Sequence, residues 1–181
     1  MVRSYGIGQD QPRFGLMSLG GFGGVSSSLQ PFSLCPAVWE EHVYVGCLDG
    51  YVYALDTRDG RKKWEFPTGG FPWSSPVVSD GLVFIGTVGG GNRLHRPPGT
   101  VANGKVYALD SRTGRMVWEF EAVGGVPSSP AVWGGLVFIA TNEGYLYALD
   151  ARNGRIAWEQ EDDSPYPIIS SPAVWVPGSL E

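Results

Sequence analysis

The chain has 181 residues, with 13 Lys and Arg against 18 Asp and Glu, for a net charge of −5. This thinly spread acidic charge leaves no basic face for nucleic acid, and no apolar run approaches bilayer-spanning length, so no membrane span is expected. Gly (27) and Pro (14) are abundant, yet so are Trp (7), Tyr (8) and Phe (8). A disordered Gly/Pro-rich chain would lack those aromatics, whereas many short strands joined by tight turns require this mixture.

In chain order, residues 1–32 are a Gly/Ser-rich N-terminal segment in which Phe14 to Leu19 could contribute a strand. Met1 to Tyr5 is not followed by an apolar signal-peptide core. Three similar units follow, at about 35–66, 74–120 and 128–160, and a fourth opens at 170–176; together they define a second region, 33–179. Their lead-in prolines, Pro36, Pro76, Pro130 and Pro172, are 40, 54 and 42 residues apart. Internal repetition at this period is the signature of repeat architectures.

Each unit divides into four strands. Strand A is Pro-Ala-Val-Trp, as at 130–133, and it turns at Gly134-Gly135, at Asp80-Gly81 or at Glu40-Glu41. Gly- and Asp-containing two-residue turns suit hairpins. Strand B is Leu136 to Ala140, matching Val43 to Gly46 and Leu82 to Gly86. Strand C is Tyr145 to Leu149 and strand D is Arg155 to Glu159. Strand B is apolar on both faces, so both must be covered. No helical periodicity exists to cover them, which leaves other sheets. Four-stranded units stacked face to face around an axis form a β-propeller. The expected fold is all-β, about half a ring, with three full blades and a composite fourth built from the two ends of the chain.

Within each unit Asp, Gly and Trp recur at four-residue steps: Asp56, Gly60 and Trp64; Asp110, Gly114 and Trp118; Asp150, Gly154 and Trp158. The carboxylate is expected to accept N–H groups of the C–D turn and the glycine to take positive φ. The Trp is expected to dock on the neighbouring unit with its N–H bonded. Trp39, Trp133 and Trp175 end strand A, either as an exposed aromatic set or, the favoured reading, in inter-strand packing.

Unit two departs from the others. Its B–C turn carries Val88 to Ala102 where Leu48 or Asn142 stands alone, and it concentrates Arg93, His95 and Arg96 in an otherwise acidic chain. Loops on a rigid scaffold are common binding sites, and these charges suit an anion or acidic peptide; a neutral surface insertion is the alternative. His42 is expected to be exposed beside the A–B turn. Cys35 and Cys47 lie in adjacent expected strands, where either two buried thiols or a disulfide is compatible. No catalytic triad motif, phosphate loop or metal-ligand spacing occurs.

The pattern Ala54-x-Asp56-x-x-x-Gly60-x-x-x-Trp64, its two further copies and the Ser-Ser-Pro lead-ins resemble the PQQ-like β-propeller repeat. That repeat builds the quinoprotein alcohol dehydrogenases and the outer-membrane β-barrel assembly lipoprotein. The resemblance implies one of two functions: a non-catalytic scaffold that binds a protein or peptide, or a fragment or relative of a PQQ- and calcium-dependent dehydrogenase. The scaffold is favoured, with no cofactor and no catalytic or metal residues. Cys35 and Cys47 are not the adjacent Cys-Cys pair of the dehydrogenases, and no carboxylate maps onto their calcium or catalytic positions. A periplasmic or extracellular location is what the family implies. Three units cannot close a ring, so the expectation is either a homodimer completing an eight-bladed ring or a piece of a longer propeller.

Overall fold

A computed structural model describes residues 35–90, 103–162 and 168–174. The N-terminal segment and the loop carrying Arg93, His95 and Arg96 lie outside the described residues. No helix occurs among those described, and none is therefore long and apolar enough to cross a membrane.

Three antiparallel blades follow one another. Blade 1 is β1 (Ala37–Trp39), β2 (His42–Cys47), β3 (Tyr51–Asp56) and β4 (Lys62–Pro67), paired in chain order. The second blade comprises β6 (Val77–Ser79), β7 (Leu82–Gly90), β8 (Gly104–Asp110) and β9 (Met116–Ala122), with a short β5 (Gly70–Pro72) added to the far end of β7. Blade 3 is β10 (Ala131–Trp133), β11 (Leu136–Ala140), β12 (Tyr145–Asp150) and β13 (Ile156–Glu161). Strand β7 continues through Gly90 to pair with β5, so the first residues of the insertion are strand, where the sequence reads as loop.

The A–B hairpins share one register: Trp39 faces His42, Ser79 faces Leu82 and Trp133 faces Leu136. Their two-residue turns need positive φ, which Gly134 and Gly135 supply freely, while Asp80 and Glu40 adopt it as non-glycine residues. His42 is half-buried rather than exposed, because its ring stacks on Tyr44 at 6.0 Å between centroids. A repeated bulge shifts the register between Ala54 and Leu55, Ala108 and Leu109, and Ala148 and Leu149. It places one extra residue in each outer strand just before the tryptophan, and such bulges bend and re-aim a strand.

The core lies between blades rather than inside one. On β7, Val83 and Ile85 pack with Tyr44, Val52, Ala54 and Trp64 of blade 1, while Phe84 points the other way, into blade 3. Strand β8 alternates likewise: Tyr107 and Leu109 meet blade 1, and Val106 and Ala108 meet blade 3. The centres of these strands, Val83–Ile85 and Val106–Leu109, are therefore apolar at every position, since each face touches a different blade. Each fully buried aliphatic side chain contributes about 1.5–3 kcal/mol.

Candidate binding site: the blade edges and the turn end

The repeated Asp, Gly and Trp lie at the end of the blades that carries the A–B and C–D turns. Asp110 Oδ1 accepts the N–H groups of Arg112 and Thr113 at 3.1 and 2.8 Å and the Thr113 hydroxyl at 2.7 Å. Asp150 accepts Arg152 N–H at 2.9 Å and Asn153 N–H at 3.2 Å, and Asp56 accepts Arg58 N–H at 2.8 Å. The following glycine closes the turn in each case, with its N–H bonded to the Asp carbonyl and φ near +70°. The buried Asp56 also meets Lys63, the bulge residue, at 2.9 Å. That ammonium and the Arg58 N–H hold its carboxyl well below the usual range. The Thr113 hydroxyl and N–H lower that of Asp110.

These turns receive the tryptophan of the preceding blade. Trp64 Nε1 donates to the Ser111 carbonyl at 2.9 Å, and Trp118 Nε1 to the Ala151 carbonyl at 2.9 Å. Each acceptor follows the turn Asp directly. The indoles lie over the turn glycines so closely that a Cβ on Gly114 would sit 2.6 Å from Trp64, and one on Gly154 2.7 Å from Trp118. Trp64 and Trp118 are accordingly 8% and 7% exposed. Trp158 holds the same stance against Phe138, 5.9 Å between centroids, but is 42% exposed. At the opposite edge Gly60 has open space where its equivalents meet an indole.

Strand A ends in tryptophans that face solvent: Trp39 is 41% and Trp133 52% exposed. The packing favoured on sequence does not hold for these two, and Trp175 lies outside the described residues. Around Trp39 stand exposed charges, including a bridge between blades from Arg112 to Glu40 at 3.1 Å. Trp and Arg are the residues enriched at protein-binding hot spots. At the opposite end of the blades, an open cavity of about 340 Å³ is lined by Asp49, Tyr51 and Phe71 and reaches Gly89, at the root of the insertion.

Cys35 and Cys47 are not joined in a disulfide, and burial pushes the Cys47 thiol up. Among the described residues no group of three or more His, Cys, Asp or Glu side chains converges to hold a metal. The carboxylates of the turns, Asp56, Asp110 and Asp150, are committed to backbone N–H groups.

The family model described as outer membrane protein assembly factor BamB matches residues 23–97 and 48–179. The chain is 38% identical over 77 residues to the outer membrane protein assembly factor BamB of Yersinia pestis, covering 42% of this chain and 16% of that protein. It is 36% identical over 99 residues to the quinohemoprotein alcohol dehydrogenase ADH IIB of Pseudomonas putida, covering 52% of this chain and 13% of that one. In each case it spans less than a fifth of the relative's length. The solved structure of BamB from Moraxella catarrhalis superposes on 67% of this chain and 34% of its own, with a TM-score of 0.53 and 22% identity, a likeness of fold. With the family model matched over most of its length and the blade geometry repeated three times, the chain belongs to the PQQ-type β-propeller family of the outer membrane protein assembly factor BamB.

Proposed function

We propose that this chain is a non-catalytic β-propeller scaffold that binds an extended polypeptide on the end carrying Trp39 and Trp133. The observation that carries the reading is the division of labour among the aromatics. Trp64 and Trp118 are spent on blade docking, whereas Trp39 and Trp133, at one register on the inner strands of blades 1 and 3 with Ser79 of blade 2 between them, stand in solvent, Trp39 beside charged side chains. A solvated pair of tryptophans supplies large contact area at low entropy cost. Membership of a family named for outer membrane protein assembly supports a client with the alternating apolar and polar pattern of an outer-membrane strand, and a periplasmic setting. A second copy of the chain is a further partner, completing an eight-bladed ring. The loop with Arg93, His95 and Arg96 is a candidate second site, for an acidic segment.

The test is fluorescence titration with a synthetic peptide of that alternating pattern. Saturable binding that W39A/W133A abolishes and R93A/H95A/R96A leaves intact supports the turn-end site. Binding lost only in the loop variant moves the site to the loop. The dehydrogenase reading, favoured by the 36% identity to the quinohemoprotein enzyme, predicts instead PQQ uptake with calcium and dye-linked alcohol oxidation; either result overturns the scaffold.

A further inference from the structure

The cavity at the B–C end of blade 1 brings a carboxylate, Asp49, to two exposed rings, Tyr51 and Phe71; the rest of its described lining is proline and glycine. Neutral donors fix that carboxylate. Asp49 Oδ1 accepts Tyr51 N–H at 3.0 Å, and its Oδ2 accepts the Tyr53 hydroxyl at 2.7 Å. Tyr53 in turn stacks on Tyr51, 6.0 Å between centroids. Burial and the Asp49 carboxylate push the Tyr53 phenol up, so it stays a donor across the neutral range. The carboxylate and the Tyr51 ring are thus set before a ligand arrives, and such pre-organisation removes part of the cost of binding. Neither bond neutralises the charge. An ionised carboxylate has about four lone-pair sites, and the ion pairs among the described residues go to other carboxylates, on Glu40, Glu41, Asp56, Asp59, Glu65 and Glu119.

The equivalent place in blade 2 shows what this register accommodates. Asn103 and Lys105 stand there for Asp49 and Tyr51. Blade 2 supplies its own cation, with Lys105 Nζ on Glu119 Oε1 at 2.9 Å. Side chains of blade 3 pack at the same junction: Asn142 Oδ1 accepts Gly125 N–H at 2.7 Å, and Glu143 lies against Gly124. Blade 1 differs at each position. It has a carboxylate for the neutral Asn103, a ring for the ammonium, and Phe71 where blade 2 has Gly125, three residues before the first serine of Ser-Ser-Pro.

We propose that this cavity receives an arginine side chain of a partner polypeptide, its guanidinium flat against Tyr51 and Phe71 and paired with Asp49. Guanidinium suits both kinds of wall, because it is weakly hydrated, stacks on aromatic faces and donates in-plane N–H groups to a carboxylate. An ammonium is a strongly hydrated point charge and gains less from a ring. A cavity of about 340 Å³ is at the small end of ligand pockets, and it takes one such side chain with the backbone left outside. The site lies at the other end of the blades from Trp39 and Trp133 and does not rest on the reading given for them.

The experiment is an amide NMR titration of the full chain with four probes: Nα-acetyl-arginine amide, the neutral isosteric citrulline amide, the lysine amide, and the tripeptide acetyl-Gly-Arg-Gly amide. Saturable shifts at Gly50, Tyr51, Gly69 and Gly70 are expected with both arginine probes, none with citrulline, and weaker binding with lysine. D49N, which keeps the side chain's shape, and F71L, which keeps its bulk, should each weaken arginine binding roughly fivefold or more. F71L lies away from the Asp49 turn, so it tests the site independently of any effect of D49N on folding. No shifts at these amides, citrulline binding as tightly as arginine, or arginine binding unaltered in F71L overturns the site. Lysine binding as tightly overturns the guanidinium assignment. Binding of the single arginine amide without the tripeptide overturns the polypeptide as its source.

Discussion

The indole N–H of Trp118 meets the carbonyl oxygen of Ala151 at 2.9 Å, across the boundary between blades 2 and 3. One hydrogen bond and the ring face above Gly154 join an outer strand to the next blade's turn. The same pair recurs as Trp64 with Ser111 and is missing its second member at Trp158. Equivalent residues therefore differ in cost. W64A and W118A should each lower stability by about 3–5 kcal/mol, as for buried aromatics cut to Ala. In the monomer W158A should cost about 1 kcal/mol or less. Denaturant melts at low protein concentration check this; equal costs at the three sites would contradict it.

The glycines form a matching series. All three take φ near +70°, so an added Cβ costs about 1–2 kcal/mol at any of them. At Gly114 and Gly154 that Cβ also strikes an indole, whereas at Gly60 it meets nothing. G114A and G154A should be more destabilising than G60A by about 1–3 kcal/mol. Similar midpoints for the three variants would mean that the indoles yield easily.

Ser74 and Ser128 bond both the N–H and the carbonyl of Gly86 and Ala140 respectively, which gives a prediction for buried backbone. S74A and S128A leave the N–H and carbonyl of Gly86 and Ala140 without their hydroxyl partner in a buried site. A loss of about 1–3 kcal/mol each is expected, with faster amide exchange at Gly86 and Ala140. In the monomer S170A should change nothing, since Ser170 is exposed. Unchanged exchange at Ala140 in S128A would show that water replaces the hydroxyl.

Acid sensitivity should follow the turn carboxylates. Asp56 is lowered by Lys63 and the Arg58 N–H, and Asp110 by Thr113. With folded values below the unfolded ones, the unfolded chain binds more protons in that window, so stability rises with pH there. The contribution is complete above the ordinary Asp range near pH 4 and fades as pH falls through the folded values. D56N and D110N should each flatten the acid limb of a stability profile taken from about pH 6 to about pH 2. An unaltered limb would place the acid-labile charges elsewhere.

Much of the fold was legible in the residues. The Asp-Gly-Trp steps, the two-residue turns and the doubly apolar strands such as Leu136–Ala140 imply stacked four-stranded blades, because periodicity and turn chemistry are local properties of the chain. The extension of β7 to Gly90 was not legible, since Gly89-Gly90-Gly91 carries no strand signal and takes its pairing from β5, far back in sequence. The exposure of Trp39 and Trp133 was not legible either, because a tryptophan at a strand end looks the same whether or not a neighbour covers it.

By itself, then, the sequence determined the repeat, the all-β blade and the residues of each turn. Only the tertiary structure decided which repeats are satisfied. Trp64, Trp118 and Trp158 stand in nearly identical local sequence, and so do Gly60, Gly114 and Gly154. Their difference comes from what lies on the other side of the gap, a neighbouring blade or none, and that is a property of three-dimensional position that no local pattern encodes.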